Sequence, residues 1–111
     1  MDSVSRRTKI EALLAESPDD SFLRYGLALE LEKEAEHDAS LAELRRLMQP
    51  SSPYVPAFFM AAQQLARLER IDEARAALRD GIEHARAQGN AHAAGEMSEF
   101  LAGLGRLGEV E

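Results

Sequence analysis

Residues 57–82 read AFFMAAQQLARLERIDEARAALRDGI, and the spacing of their apolar side chains decides the fold. Phe58, Ala61, Ala62 and Leu65 recur at helical intervals and share one face. After a tight turn, Ala74, Leu78, Gly81 and Ile82 do the same on a second helix. Large side chains alternate with alanine or glycine, so two helices can approach closely, the bulk of one filling the space left by the other. The stretch predicts a helical hairpin built to stack.

Outward from this hairpin the chain keeps the same style. Residues 3–16 read as a helix with Ile10, Leu13 and Leu14 on one side and Arg6, Arg7, Lys9 and Glu11 on the other. Ser17-Pro18-Asp19-Asp20 ends it and offers Asp19, Asp20 or Ser21 as the next N-cap. A second helix then runs to about Ala35 with Leu23, Leu27, Ala28 and Leu31 at buried spacing. A turn near Glu36-His37-Asp38 leads to a third helix carrying Ser40, Leu41, Leu44, Leu47 and Met48, which Pro50, Ser51, Ser52 and Pro53 break. Pro56 suits the first turn of the central hairpin. On the C-terminal side the hairpin's second helix continues to Ala87 and stops at Gly89. Asn90 is the expected N-cap of a last helix, 91–104, with Ala94, Met97, Leu101 and Leu104 on a common face. Gly103, Gly105 and Gly108 loosen its end, and the tail beyond Leu107 is expected to fray.

A chain of 111 residues, 45% apolar and 30% charged, is one soluble domain's worth. Its apolar set is mostly alanine and leucine, which favours helix over strand. The absence of cysteine excludes disulfides, thiolate catalysis and cysteine metal sites, and fits a reducing compartment; the expected location is the cytoplasm. The longest nearly apolar run, Val55 to Ala62, contains Pro56 and falls far short of the roughly 20 residues a membrane span needs. Arg6, Arg7 and Lys9 have no long apolar core behind them, so no signal peptide is expected. A net charge of −7 repels phosphate backbones, and no nucleic-acid partner is expected.

The chain repeats itself with a period of 34 residues. That shift carries Ala28 onto Ala62, Leu31 onto Leu65, Asp38 onto Asp72, Ser40 onto Ala74, Leu44 onto Leu78 and Met48 onto Ile82. It also carries Ile10, Leu13 and Leu14 onto Leu44, Leu47 and Met48, so the first helix behaves as the second half of a hairpin. A plain four-helix bundle is the alternative, and the shift fits it poorly. With small residues in the slots of Ala28, Ala62, Ser40 and Ala74, and Gly81 late in one pair, the chain resembles a tetratricopeptide-repeat (TPR) protein over roughly Ser21 to Gly89. The first copy departs from the pattern: Arg24 stands where the second copy has Phe58, Leu47 replaces the late small residue, and Ser52 and Arg86 stand where a closing proline is usual.

The resemblance implies an all-α fold, a short right-handed αα solenoid of stacked antiparallel helix pairs. It implies a single domain over 1–111, with an N-terminal half-repeat helix at 3–16, repeats at 19–50 and 54–88, and a C-terminal capping helix at 90–105. No catalytic, metal or cofactor set is legible. His37, His84 and His92 lack the spacing of a helical metal site and read as surface or cap residues. The run GLGRLG, 103–108, is similar in outline to a phosphate loop but has no strand before it or helix after it. Glu30, Glu32, Glu34, Glu36 and Asp38 read as a solvated helix face, with a basic peptide as the alternative occupant.

The TPR resemblance implies a non-catalytic adaptor that binds a peptide or protein segment along a concave face lined by the first helix of each pair. In this chain that face would present Phe22, Tyr25, Leu29, Glu32 and Lys33, then Phe59, Met60, Gln63 and Arg67. These lie off the core stripe, so their apolar bulk is otherwise unexplained. The family's subset that grips a terminal carboxylate uses a lysine and asparagines there; Tyr25 and Leu29 occupy those places, and that ligand class is not expected. The alternative is a homodimer or larger self-assembly, or the C-terminal helix, covering the same groove. An enzyme or nucleic-acid binder is the remote alternative. The partner's identity is not legible.

Overall fold

The computed structural model of the chain describes the backbone of residues 3–110 and the side chains of residues 6–105. Among the described residues there are six α-helices and no strand: α1 (Ser3–Glu16), α2 (Ser21–Lys33), α3 (His37–Leu47), α4 (Val55–Arg67), α5 (Ile71–Ala87) and α6 (Ala91–Val110). They gather into two compact units, Met1–Tyr54 with α1 to α3 and Val55–Glu111 with α4 to α6. No helix among the described residues is long and apolar enough to cross a membrane.

Helices α2 and α6 begin where a short polar side chain satisfies an unpaired N–H group, whereas α3 and α5 start without a side-chain cap. Of the three candidate caps before α2, Asp20 takes the role, its Oδ1 accepting from the Leu23 N–H at 3.0 Å. Asn90 does the same for α6, accepting from the Ala93 N–H at 3.1 Å. The helix ends share a different device. The Glu36 N–H donates to the Leu31 carbonyl at 2.9 Å, and the Arg70 N–H to the Leu65 carbonyl at 2.8 Å. The residue before each donor, Ala35 or Glu69, has a left-handed φ of 61° or 63°. The Asn90 N–H closes α5 likewise on the Ala85 carbonyl at 2.8 Å, with Gly89 at φ 73°. Because Ala35 turns the chain, α2 ends at Lys33, two residues earlier than its apolar pattern suggests. At the other end of the chain α6 continues to Val110, beyond the expected stop at Leu104. The expected fraying beyond Leu107 lies outside the described side chains.

In the first unit, Leu14 of α1 packs with Leu27 and Leu31 of α2, flanked by Ile10 and Leu23. Leu13, expected beside Ile10 and Leu14, is instead 50% exposed. One residue along a helix is about a quarter of a turn around it, so an i, i+4 pair such as Ile10 and Leu14 faces α2 while Leu13 turns aside. On the other side of α2, Ala28 faces Ser40, Leu41 and Leu44 of α3, all buried. The Ser40 hydroxyl donates to the Ala28 carbonyl at 2.7 Å, so the small slot that holds Ala74 in the next pair here carries a satisfied polar group.

In the second unit, Phe58, Ala61, Ala62 and Leu65 of α4 meet Ala74, Ala77, Leu78 and Ile82 of α5, and all eight are buried. Gly81 is the point of closest approach. A Cβ there would lie 2.6 Å from the Phe58 Cβ and 2.7 Å from the Met97 Sδ, so any side chain would collide with both. The missing methyl lets α5 carry Phe58 of α4 on one flank and Met97 of α6 on the other. Ala94, Met97 and Leu104 are buried as the spacing predicts, and Leu101 is half-buried.

Candidate functional site

The nine residues expected on the inner face divide between the two units. Those of α2 have unequal surroundings. Phe22 is 73% exposed and bare of large neighbours' cover, whereas Tyr25 and Leu29 are half-buried. Tyr25 leans on Tyr54, their ring centres 5.6 Å apart and tilted by 58°. Burial, helped by the nearby phenol of Tyr54, pushes the Tyr25 hydroxyl's pKa above its ordinary 10.0. Glu32 Oε1 lies 3.0 Å from His37 Nδ1 at the start of α3, and Lys33 Nζ donates to Glu30 Oε2 at 3.4 Å. Both charged members of this half of the set therefore have partners within their own unit.

The acidic run that contains Glu32 is not the single solvated face its sequence suggests. Glu30 is only 3% exposed, and Glu34 is half-buried. Their side of α2 faces α1, where Arg6 Nη1 reaches Glu30 Oε2 at 3.4 Å and Arg7 Nη1 reaches Glu34 Oε1 at 2.7 Å. Arg7 also donates to Glu11 at 3.2 Å, and these two carboxylates, Glu34 foremost, raise its pKa above the ordinary guanidinium value. Alternate residues of a helix fall on different faces, so a run spaced by twos is shared out: Glu30 and Glu34 to α1, Glu32 to α3. Arg24 makes up for the aromatic ring that the first pair lacks. It is half-buried, pairs with Glu43 of α3 at 2.6 Å, and donates to the Pro18 carbonyl at 2.8 Å.

On α4, Phe59 and Met60 are half-buried beside the fully covered Phe58. Phe59 meets Phe100 of α6 edge to face, with ring centres 5.6 Å apart and an interplanar angle of 70°. Helix α6 therefore touches α4 through this ring pair. Between the two helices lies a hollow of about 460 Å³ lined by Gln63, Ala66 and Arg67 from α4 and by Glu99, Phe100, Gly103 and Leu104 from α6. A smaller hollow of about 310 Å³ adjoins Phe59, Glu96, Glu99 and Phe100. Three of the four α4 residues in the expected set, Phe59, Gln63 and Arg67, thus line these two cavities.

The opposite wall is what periodicity does not single out. Phe100 lies between Met97 and Leu101 of the core stripe and reads as one more apolar residue near it. The signal that could have found it is a second aromatic beside the stripe, as Phe59 stands beside Phe58. The histidines serve local packing: His84 stacks on Phe58 with ring centres 5.4 Å apart, and His92 Nε2 lies 3.5 Å from Glu96 Oε2. The run 103–108 lies inside α6. That is an uninterrupted helix, not a phosphate-cradling loop.

Known structures share this fold. The solution NMR structure of a tetratricopeptide repeat domain protein from Salinibacter ruber is 30% identical in sequence, with a TM-score of 0.72, over 78% of this chain and 88% of that one. The solution structure of a protein from Bordetella parapertussis is 27% identical, with a TM-score of 0.77, over 95% of this chain and 91% of that one. No family model and no curated protein matches the chain. The all-α helical-repeat fold is common to all three.

Proposed function

The chain belongs to the tetratricopeptide-repeat family, and from that premise we propose that it is a non-catalytic adaptor that binds a segment of another protein. It would hold the segment on the face presented by the first helix of a pair, here α4 of the second unit. The supporting observation is the groove between α4 and α6, where Phe59 and Phe100 form an aromatic wall beside a hollow of about 460 Å³. A core has no use for two adjoining open hollows, the larger lined by Phe100 and the smaller by both rings, whereas a docked side chain could fill them. Phe22, Tyr25 and Leu29 on α2 are a second apolar surface of the same kind. The lack of cysteine suits work in a reducing compartment such as the cytoplasm.

A peptide array probed with the purified protein tests this reading. The wild type should bind a defined subset of peptides, and Phe59→Ala with Phe100→Ala should lose that subset while keeping its helical circular dichroism. An array equally occupied by wild type and variant would remove the groove from the account. Self-assembly is the second reading, favoured by the exposure of Leu13 and Phe22. Light scattering separates it: a dimer that returns to monomer on Phe22→Ser would make that face an interface between copies.

A further inference from the structure

The adaptor reading leaves the chemistry of the bound segment open, and the rim of the α4–α6 groove narrows it. Glu96 and Glu99 are one turn apart on α6, both exposed, and with Phe59 and Phe100 they line the smaller hollow of about 310 Å³. Glu99 and Phe100 also line the larger hollow of about 460 Å³, so one carboxylate and one ring are common to both chambers. The larger chamber is walled by Ala66, Gly103 and Leu104, with Arg67 and Gln63 on the α4 side. Among the described residues Glu99 has no ion-pair partner, and Glu96 has only His92, at 3.5 Å and 86% exposed.

Two carboxylates beside two aromatic rings make a receptor for a cation. The ring faces attract an ammonium or guanidinium, and the carboxylates accept its hydrogen bonds. The neighbouring chamber asks for an aliphatic or aromatic side chain with no charge. We propose that this groove selects a peptide segment carrying a lysine or arginine within one helical turn of a large apolar residue, the apolar side chain entering beside Ala66 and Leu104 and the cation lying over Phe59 and Phe100 between Glu96 and Glu99. This rests on the adaptor reading and adds the sign of the charge that is read. A net charge of −7 acts in the same direction, drawing basic segments toward the protein and turning acidic ones away.

The experiment uses the full chain and an array of 15-residue peptides with random flanks around a fixed Leu and a Lys, Glu or Gln placed three or four residues away. The lysine set should bind best, with affinity falling as salt rises. Glu96→Gln with Glu99→Gln, both exposed and nearly isosteric, should weaken the lysine set by about 10-fold and leave the glutamine set within about 2-fold. Phe100→Ala should abolish all three, and circular dichroism keeps loss of fold apart from loss of binding. If the glutamate or glutamine set bound as well as the lysine set, or the double variant kept its preference, the charge selection would be wrong while the adaptor reading stood. If no set bound and the protein scattered as a dimer insensitive to peptide, the adaptor reading itself would fall, and this inference with it.

Discussion

Ala35 and Glu69 stand thirty-four residues apart and hold the same left-handed backbone, with φ of 61° and 63°. The residues that follow them match as well: Glu36 and Arg70 have φ of −90° and −93° and a common ψ of 69°. The repeat is therefore written in the main chain of the two hairpin turns as well as in the buried side chains. Neither turn uses glycine, although a residue with a Cβ is strained there. Ala35→Gly and Glu69→Gly should each stabilise the protein by about 0.5–1 kcal/mol, read as a higher urea midpoint at unchanged slope. A lower midpoint for both would show that backbone freedom in the unfolded chain outweighs the relieved strain.

Gly81 tests the opposite sign. Alanine is intrinsically the better helix former by about 1 kcal/mol, and on propensity alone Gly81→Ala should stabilise α5. A new methyl would meet the Phe58 Cβ at 2.6 Å, an atom tied to the main chain that cannot swing away. Overpacking should win by roughly 1–3 kcal/mol, giving a net loss in thermal unfolding. A variant as stable as the parent would mean that α4 and α5 can part without cost.

Glu30 offers a test of what buried charge is worth. It is 3% exposed, and its ion pairs with Arg6 and Lys33 are long, 3.4 Å each, to side chains that are 63% and 57% exposed. Desolvating the carboxylate costs several kcal/mol, and contacts of that length to hydrated cations offset it poorly. Its replacement leaves no charge buried, because Arg6 and Lys33 remain in water. Glu30→Met should therefore be neutral or stabilising, on the order of 1 kcal/mol. Marked destabilisation in chemical unfolding would show that the pairs hold α1 in place.

Tyr25 predicts how the protein responds to base. Its pKa is raised in the folded state by burial, and the unfolded chain, with an ordinary phenol near pH 10, gives up the proton first. The stability this group contributes is whole below about pH 10 and is lost as pH rises through the higher folded value. Melting temperatures measured from neutral pH upward should fall more steeply for the wild type than for Tyr25→Phe above about pH 10. Parallel curves would take Tyr25 out of the alkaline transition.

Much of this structure was legible from side-chain spacing, and the reason is specific. Ala28, Ala62, Leu31, Leu65, Leu44 and Leu78 sit on helices whose one buried face has a fixed period, and each is buried as that period demands. What escaped was settled by tertiary context. The left-handed turns at Ala35 and Glu69 carry no glycine to announce them. The fate of Glu30 depends on α1 lying across it, which nothing near position 30 encodes. Of the nine residues that line the two hollows, Phe59, Gln63 and Arg67 belong to the set expected from the sequence; Phe100, Glu96 and Glu99 join them through contact between α4 and α6, which spacing along the chain does not encode.

Within each unit nearly all packing joins helices that are consecutive in the chain, α1 with α2, α2 with α3, α4 with α5, α5 with α6. Only short loops must close before these contacts form, so the entropy lost in reaching the transition state is small and the expected folding time is microseconds to milliseconds. A nascent chain leaves the ribosome at about 5–20 residues per second, far slower than that. Each hairpin can then close before the next is synthesised, and the apolar sides its two helices turn toward each other spend little time uncovered in a crowded cell.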